Sequence, residues 1–353
     1  MSDTLRKGGA PQEIDLDKRP ANNRSAVLKS RLTSWDSIIL VLTVLVLIVA
    51  SGTVDNFGTS RNFTFMVLDL LPIILIALPM TMIIVTGEID LSVASTLGLT
   101  SSMMGWLWNQ GLSIESIIPL CIVIGAICGV VNGFLITGLG LPSLAVTIGT
   151  LALYRGLAFV VLGDGAVADF PWNYTGWVTG TIGGGAVPNV LILIVVLALI
   201  FGIVQHATPF GRSLYAIGAN AQAAHFSGIR VARTKFWLYV ASGAVAGLVG
   251  VLWTLRYSSA RADNGAGLEL AVVAAVLLGG VSIFGGKGSL PGVLAGVVLL
   301  TALQNALRLE DVSGQALNIV TGSLLVLSVL LPNITTAVRS NWHRRRLRQA
   351  ASR

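Results

Sequence analysis

The sequence predicts an all-α integral membrane protein of about ten transmembrane helices, and three observations carry that prediction. The chain is 54% hydrophobic and 11% charged, where soluble domains carry roughly 25% charged residues, and its mean hydropathy is +0.81. Its apolar residues come in continuous runs. Backbone groups in hydrocarbon must be satisfied within the segment, and a β-barrel would instead show alternating strands of about ten residues. Forty glycines are spread through those runs, as close helix packing in lipid requires.

Residues 1–36 are polar, mixed in charge and lack an early apolar run, so they predict a cytoplasmic tail rather than a signal peptide. Spans follow at 37–52 and 66–86, parted by a polar link with Asp55, Asn56, Arg61 and Asn62. The tight connection TGEIDLS, 86–92, leads to spans at 91–108, 117–137 and 144–162. A longer section, 163–188, holds Asp164, Asp169, Trp172, Tyr174 and Trp177, and its aromatics suit a membrane interface. A sixth span, 189–204, precedes a basic loop at 205–235, and spans at 236–257, 270–284, 291–307 and 315–331 complete the membrane domain, 37–334. Residues 335–353 form a basic tail.

Ten spans place both tails on one side. The tails and even-numbered connections then hold 18 of the 23 Lys and Arg residues, against Arg61, Arg256, Arg261 and Arg308 opposite. This bias predicts both termini in the cytoplasm. The charge gathers at membrane flanks without interleaved aromatics, which argues against nucleic acid. Cys121 and Cys128 lie seven apart in one run, about 10 Å along a helix axis and too far for a disulfide. Gly125, Gly129 and Gly133, Gly243 and Gly247, and Gly292 and Gly296 predict tight helix contacts. Short turns join spans two and three and spans eight and nine, suggesting an inverted duplication of spans two to five as seven to ten.

The loop 205–235 carries Arg212, Arg230, Arg233 and Lys235 and no acid. Asn220 is placed to cap a short helix over 221–227, with Gly228 ending it. Two turns are marginal alone, so the loop predicts a docking element for another protein. Within the spans, Asp69, Asn132, Arg155, Gln304 and Asn305 are candidates for a translocation path; snorkelling and pairing between helices are the alternatives. No catalytic or metal-ligating constellation stands out. GGVSIFGGKGS, 279–289, fails the phosphate-loop template because Gly288 follows Lys287. Any use of ATP must therefore come through a partner, and no cofactor is expected in this chain.

Three segments carry a resemblance: ALPMTMIIVTGEIDLSVAST (77–96), GRSLYAIGANAQAAHFSGI (211–229) and VLLGGVSIFGGKGSLPGVLAG (276–296). They resemble the permease subunit of carbohydrate ABC importers of the ribose, rhamnose and autoinducer-2 type, related in fold to the vitamin B12 permease. The resemblance implies a ten-span permease of the bacterial inner membrane, paired with itself or a second permease. Two cytoplasmic ATPases, which hold the ATP and Mg, would bind beneath it, and a periplasmic binding protein would deliver a small sugar from above. It places the ATPase-coupling segment on Gly211, Arg212, Gly218, Asn220, Ala223, Ala224, Ser227 and Gly228. The family's IDLS segment matches Ile89, Asp90, Leu91 and Ser92, with Glu88 where a Gly is frequent. An ion-coupled secondary transporter is the competing class; it would need membrane-buried carboxylates, and only Asp69 approaches that description. A membrane-embedded enzyme would need a nucleophile, base or metal set.

Overall fold

The computed structural model describes residues 35–327 and residue 330. The predicted tails, save Trp35 and Asp36, and the end of the tenth span lie outside the described residues. Among the described residues the protein is a helical bundle. Seven helices are long and apolar enough to cross a membrane: α1 (Trp35–Thr53), α2 (Ser60–Val85), α4 (Ile114–Thr137), α5 (Ser143–Leu162), α7 (Val190–Ala207), α10 (Val231–Tyr257) and α12 (Leu290–Leu309). The predicted third, eighth and tenth spans fall on the shorter helices α3 (Val93–Asn109), α11 (Leu268–Leu278) and α13 (Gly314–Leu327). α6 (Trp172–Thr179), α8 (Pro209–Ala219) and α9 (Ala221–Phe226) lie in the connections.

α2 is the centre of the bundle. It is apolar on every side, and such a helix must be surrounded; every residue from Leu70 to Val85 is buried, against α7, α8, α10, α11 and α12. α1 and α7 instead leave broad apolar faces exposed, among them Val41, Ile48, Leu199 and Ile203, as suits helices that border lipid.

The small-residue motifs meet as expected, and they meet each other. A Cβ on Gly125 or Gly243 would enter the backbone of the opposite helix, and one on Gly247 would lie 2.6 Å from the Cys121 carbonyl. α4 and α10 are thus in main-chain contact over several turns. Gly296 faces the Ala275 carbonyl and Gly279 in the same way, which joins α11 to α12. The two cysteines are free and buried.

Several boundaries differ from expectation, among them the start of α2, at Ser60 rather than 66. α10 begins at Val231, five residues before the predicted 236, because Arg233 and Lys235 continue the helix. α11 ends at Leu278 rather than 284, since Gly279 and Gly280 break it, Gly280 with φ +90°. α3 starts only at Val93, after Ser92. A two-residue sheet pairs β1 (Ala166–Val167) antiparallel with β2 (Ala260–Arg261).

Gly286 N–H donates to the Val85 carbonyl at 2.8 Å, so the turn after span two and the turn after span eight sit at the same end of the bundle, as two even-numbered connections should.

Candidate functional site

The basic loop is built from local capping chemistry. Thr208 starts α8, its hydroxyl accepting from Gly211 N–H at 3.2 Å, with Pro209 at the first position, where no N–H is needed. Asn220 then ends α8 and starts α9, its Oδ1 accepting from Ala223 N–H at 2.9 Å. Gly228 follows α9 at φ +85°, a conformation that favours glycine. The expected helix is therefore present, with Ser227 as its C-cap. Arg212, Ala223, Ser227 and Gly228 are exposed, whereas Gly211 and Ala224 are buried against the bundle. Sequence reasoning passed over Phe226, which is 87% exposed at the end of α9, and Phe284, 76% exposed in the turn after α11. A cleft of about 680 Å³ separates α9 from the α4–α5 connection, lined by Glu88, Leu141, Pro142, His225, Phe226 and Lys235 among others.

Segments distant in sequence converge behind this loop. A Cβ on Gly218, at the end of α8, would run into the Val85 carbonyl and the Gly286 amide. One on Gly285 would lie 2.9 Å from Gly87 N and 3.1 Å from Gly218 Cα. Three backbones thus cross with no side chain between them, at positions where only glycine fits. Tyr215 of α8 donates to the Gly288 carbonyl at 2.8 Å and accepts from Gln205 at 2.9 Å. Lys235, at the foot of α10, pairs with Glu88 of the α2–α3 turn.

Two residues after Glu88, Asp90 is 2% exposed. Its Oδ1 accepts from Ser92 N–H at 3.0 Å and Ser92 Oγ at 2.7 Å, and its Oδ2 accepts from Ser242 Oγ at 2.9 Å. Burial pushes its carboxyl above the ordinary value, while the hydrogen bonds from Ser92 and Ser242 oppose that rise. Ser92 Oγ in turn accepts from Asn132 at 2.8 Å. The network ties the α2–α3 turn to α4 and α10.

The family described as "Branched-chain amino acid transport system / permease component" matches residues 62–329. The chain belongs to this permease family. The permease is 34% identical over 313 residues to the autoinducer 2 import system permease protein LsrD of Yersinia enterocolitica, covering 85% of this chain and 92% of that protein. It is 33% identical over 306 residues to the proteins of that name from Yersinia pseudotuberculosis and Yersinia pestis, covering 85% of this chain and 91% of each. No solved structure matches it. It is a multi-pass transport subunit, and its relatives are named as permeases rather than enzymes.

The permease gives each of the five candidate path residues a partner within the chain. Asn132 is 1% exposed, held by Ser92 and by Tyr154. Asp69 pairs with Arg256 and Arg308. Arg256 also donates to the Leu68 carbonyl, an acceptor freed because Pro72, four residues on, has no N–H. Asn305 and Asn62 exchange hydrogen bonds at 2.9 and 3.1 Å, and Gln304 donates to Thr321 at 2.8 Å. Arg155 donates to three backbone carbonyls: Ala262 at 2.6 Å, Asn264 at 2.9 Å and Ala94 at 3.0 Å.

Proposed function

We propose that this permease is the membrane subunit of an ATP-driven ABC importer, a ten-span protein with the vitamin-B12-permease type of fold in the bacterial inner membrane. It moves a small sugar-like solute, in the class of rhamnose, ribose or autoinducer 2, from periplasm to cytoplasm by alternating access. It works as a dimer, with itself or a second permease, beneath a periplasmic binding protein. The tails and the loop end of the bundle face the cytoplasm, where the ATPase docks. The observation that carries this reading is the α8–α9 element: an exposed two-turn helix with Phe226 projecting, whose base is locked to the foot of α2 through Gly218 and Gly286. A helix so short is stable only when packed, and a projecting aromatic beside exposed small residues suits insertion into a partner's pocket. ATP binding would draw the two ATPases together and carry α9 with them.

The test is co-purification in mild detergent from native membranes. Wild-type chain should bring an ATPase with it. Ala223→Arg, on the exposed face of α9, should lose that partner and abolish solute uptake while the chain accumulates normally. Uptake at the wild-type rate in this variant would refute the docking assignment. Uptake driven by a proton gradient without ATP would favour the ion-coupled class.

A further inference from the structure

The connection between α10 and α11 does not cross the end of the bundle; it descends into it. After β2, the Ala262 carbonyl lies 3.1 Å from where a Cβ of Gly98 would stand, and Gly265 packs against Leu97. Asn264 Nδ2 donates to Ser101 Oγ at 2.8 Å, and Ser101 is in turn hydrogen-bonded to Thr254 of α10 at 2.7 Å. Leu97 to Ser101 precede the end of α3 by eight to twelve residues, which is about 12–18 Å at 1.5 Å per residue. The Arg155 clamp on Ala262 and Asn264 fixes the segment at that depth from α5. α11 is therefore only 11 residues long, because its chain starts partway down.

This segment is neither regular nor apolar. Ser258, Gly265 and Gly267 have positive φ, and Asp263, Ala266 and Gly267 are exposed. The side chains of Arg261 and Asp263 are 47% and 54% exposed and pair with each other; Glu269 follows at the start of α11, and it and Asp263 both attract Arg155. Non-helical backbone at membrane depth is tolerated only inside protein or beside a water-filled cavity, and exposed charges there do not face lipid. Two cations and two carboxylates leave the cluster without net charge, unlike the rings of one sign that select ions. Carboxylates, an amide and a guanidinium together are suited to hydroxyl groups.

Resting on the importer reading, we propose that the descending segment from Ala262 to Glu269, with Arg155, lines the translocation path and binds the hydroxyls of a neutral polyhydroxylated solute. Asp263 and Glu269 are its acceptors, and Arg155 is a positioning residue that holds the segment at depth.

Cysteine accessibility of the full chain in its native membranes tests this. Asp263→Cys and Ala266→Cys are treated with a charged, membrane-impermeant methanethiosulfonate. Wild type, whose described cysteines are buried, and Leu153→Cys, 53% exposed on the outer face of α5, serve as controls. The expected result is modification of both segment positions and of neither control. In saturating ribose, rhamnose or autoinducer 2, one of the three should slow modification of Ala266→Cys, which keeps both acceptors, about tenfold, as nine-tenths occupancy implies. Absence of modification at both positions would overturn the water-lined segment, and modification of Ala266→Cys unslowed by all three would overturn hydroxyl binding there. Modification needs no ATPase, so a failed ATPase co-purification with intact modification would count against the importer reading alone.

Discussion

Asp90 anchors the buried polar network that joins the α2–α3 turn to α4 and α10. Replacing it with alanine leaves Ser92 N–H, Ser92 Oγ and Ser242 Oγ without their acceptor in a buried place, at a cost of about 1–3 kcal/mol for each group left unpaired. Asp90→Ala should therefore unfold in detergent at a clearly lower temperature, with Asp90→Asn much closer to wild type. A pH series separates charge from shape. The folded carboxyl titrates above its unfolded value, so the folded state holds the proton more tightly. Asp90 then stabilises the fold most below its unfolded pKa, and that contribution falls as pH rises toward the folded pKa. The melting temperature of Asp90→Asn should gain on wild type as pH increases across this window; a constant difference would refute the shift. From sequence, Asp90 stood out only within the IDLS match, since its partner Ser242 is 152 residues away. The same limit applied to Asn132, Asp69 and Asn305: their polarity was plain, but their partners are set by tertiary contact. Arg155 was legible as a buried cation, but not the backbone carbonyls it holds.

Among the elements, those fixed by near-neighbour chemistry were the readable ones. Asn220 and Gly228 marked α9 because a cap and a left-handed glycine act within four residues. α8 escaped notice because its apolar contacts, Leu214 and Ile217, are only two and are flanked by glycines. The depth of the α10–α11 connection left no local mark at all, since a polar stretch at the surface and one inside a bundle have the same composition. Glycine spacing, by contrast, foretold contact without naming the partner. Gly129 faces the Tyr239 backbone, and neither side has a side chain that could move aside. Gly129→Val should separate α4 from α10 and cost about 3 kcal/mol or more, measured as a loss of monodisperse protein on size exclusion after heating. A variant as stable as wild type would mean that the two helices are held apart from each other.

For the whole molecule, composition alone pointed to the membrane, and charge asymmetry predicts its direction. Among the described residues, Arg212, Arg230, Arg233, Lys235 and Lys287 sit at the α8–α9 end, and Arg61, Arg256, Arg261 and Arg308 belong to the opposite connections. Ala223→Cys and Lys287→Cys should accordingly react with an impermeant thiol reagent only in inverted vesicles, and Trp172→Cys only in right-side-out ones. The opposite pattern would reverse the bundle. The predicted eighth span became a short helix, for a physical cause that lies outside a hydropathy sum: α11 begins below the surface. α3 keeps about its predicted length and buries Ser95, Thr96, Thr100, Ser101 and Ser102 in protein rather than facing lipid. The crossing of residues 85, 218 and 286 bears on how such a bundle can move. Main chain presses on main chain there, and no rotamer exists to give way. The joint leaves little slack, so a displacement of α8 should be passed to the foot of the central helix, like a lever turning on a fixed pin.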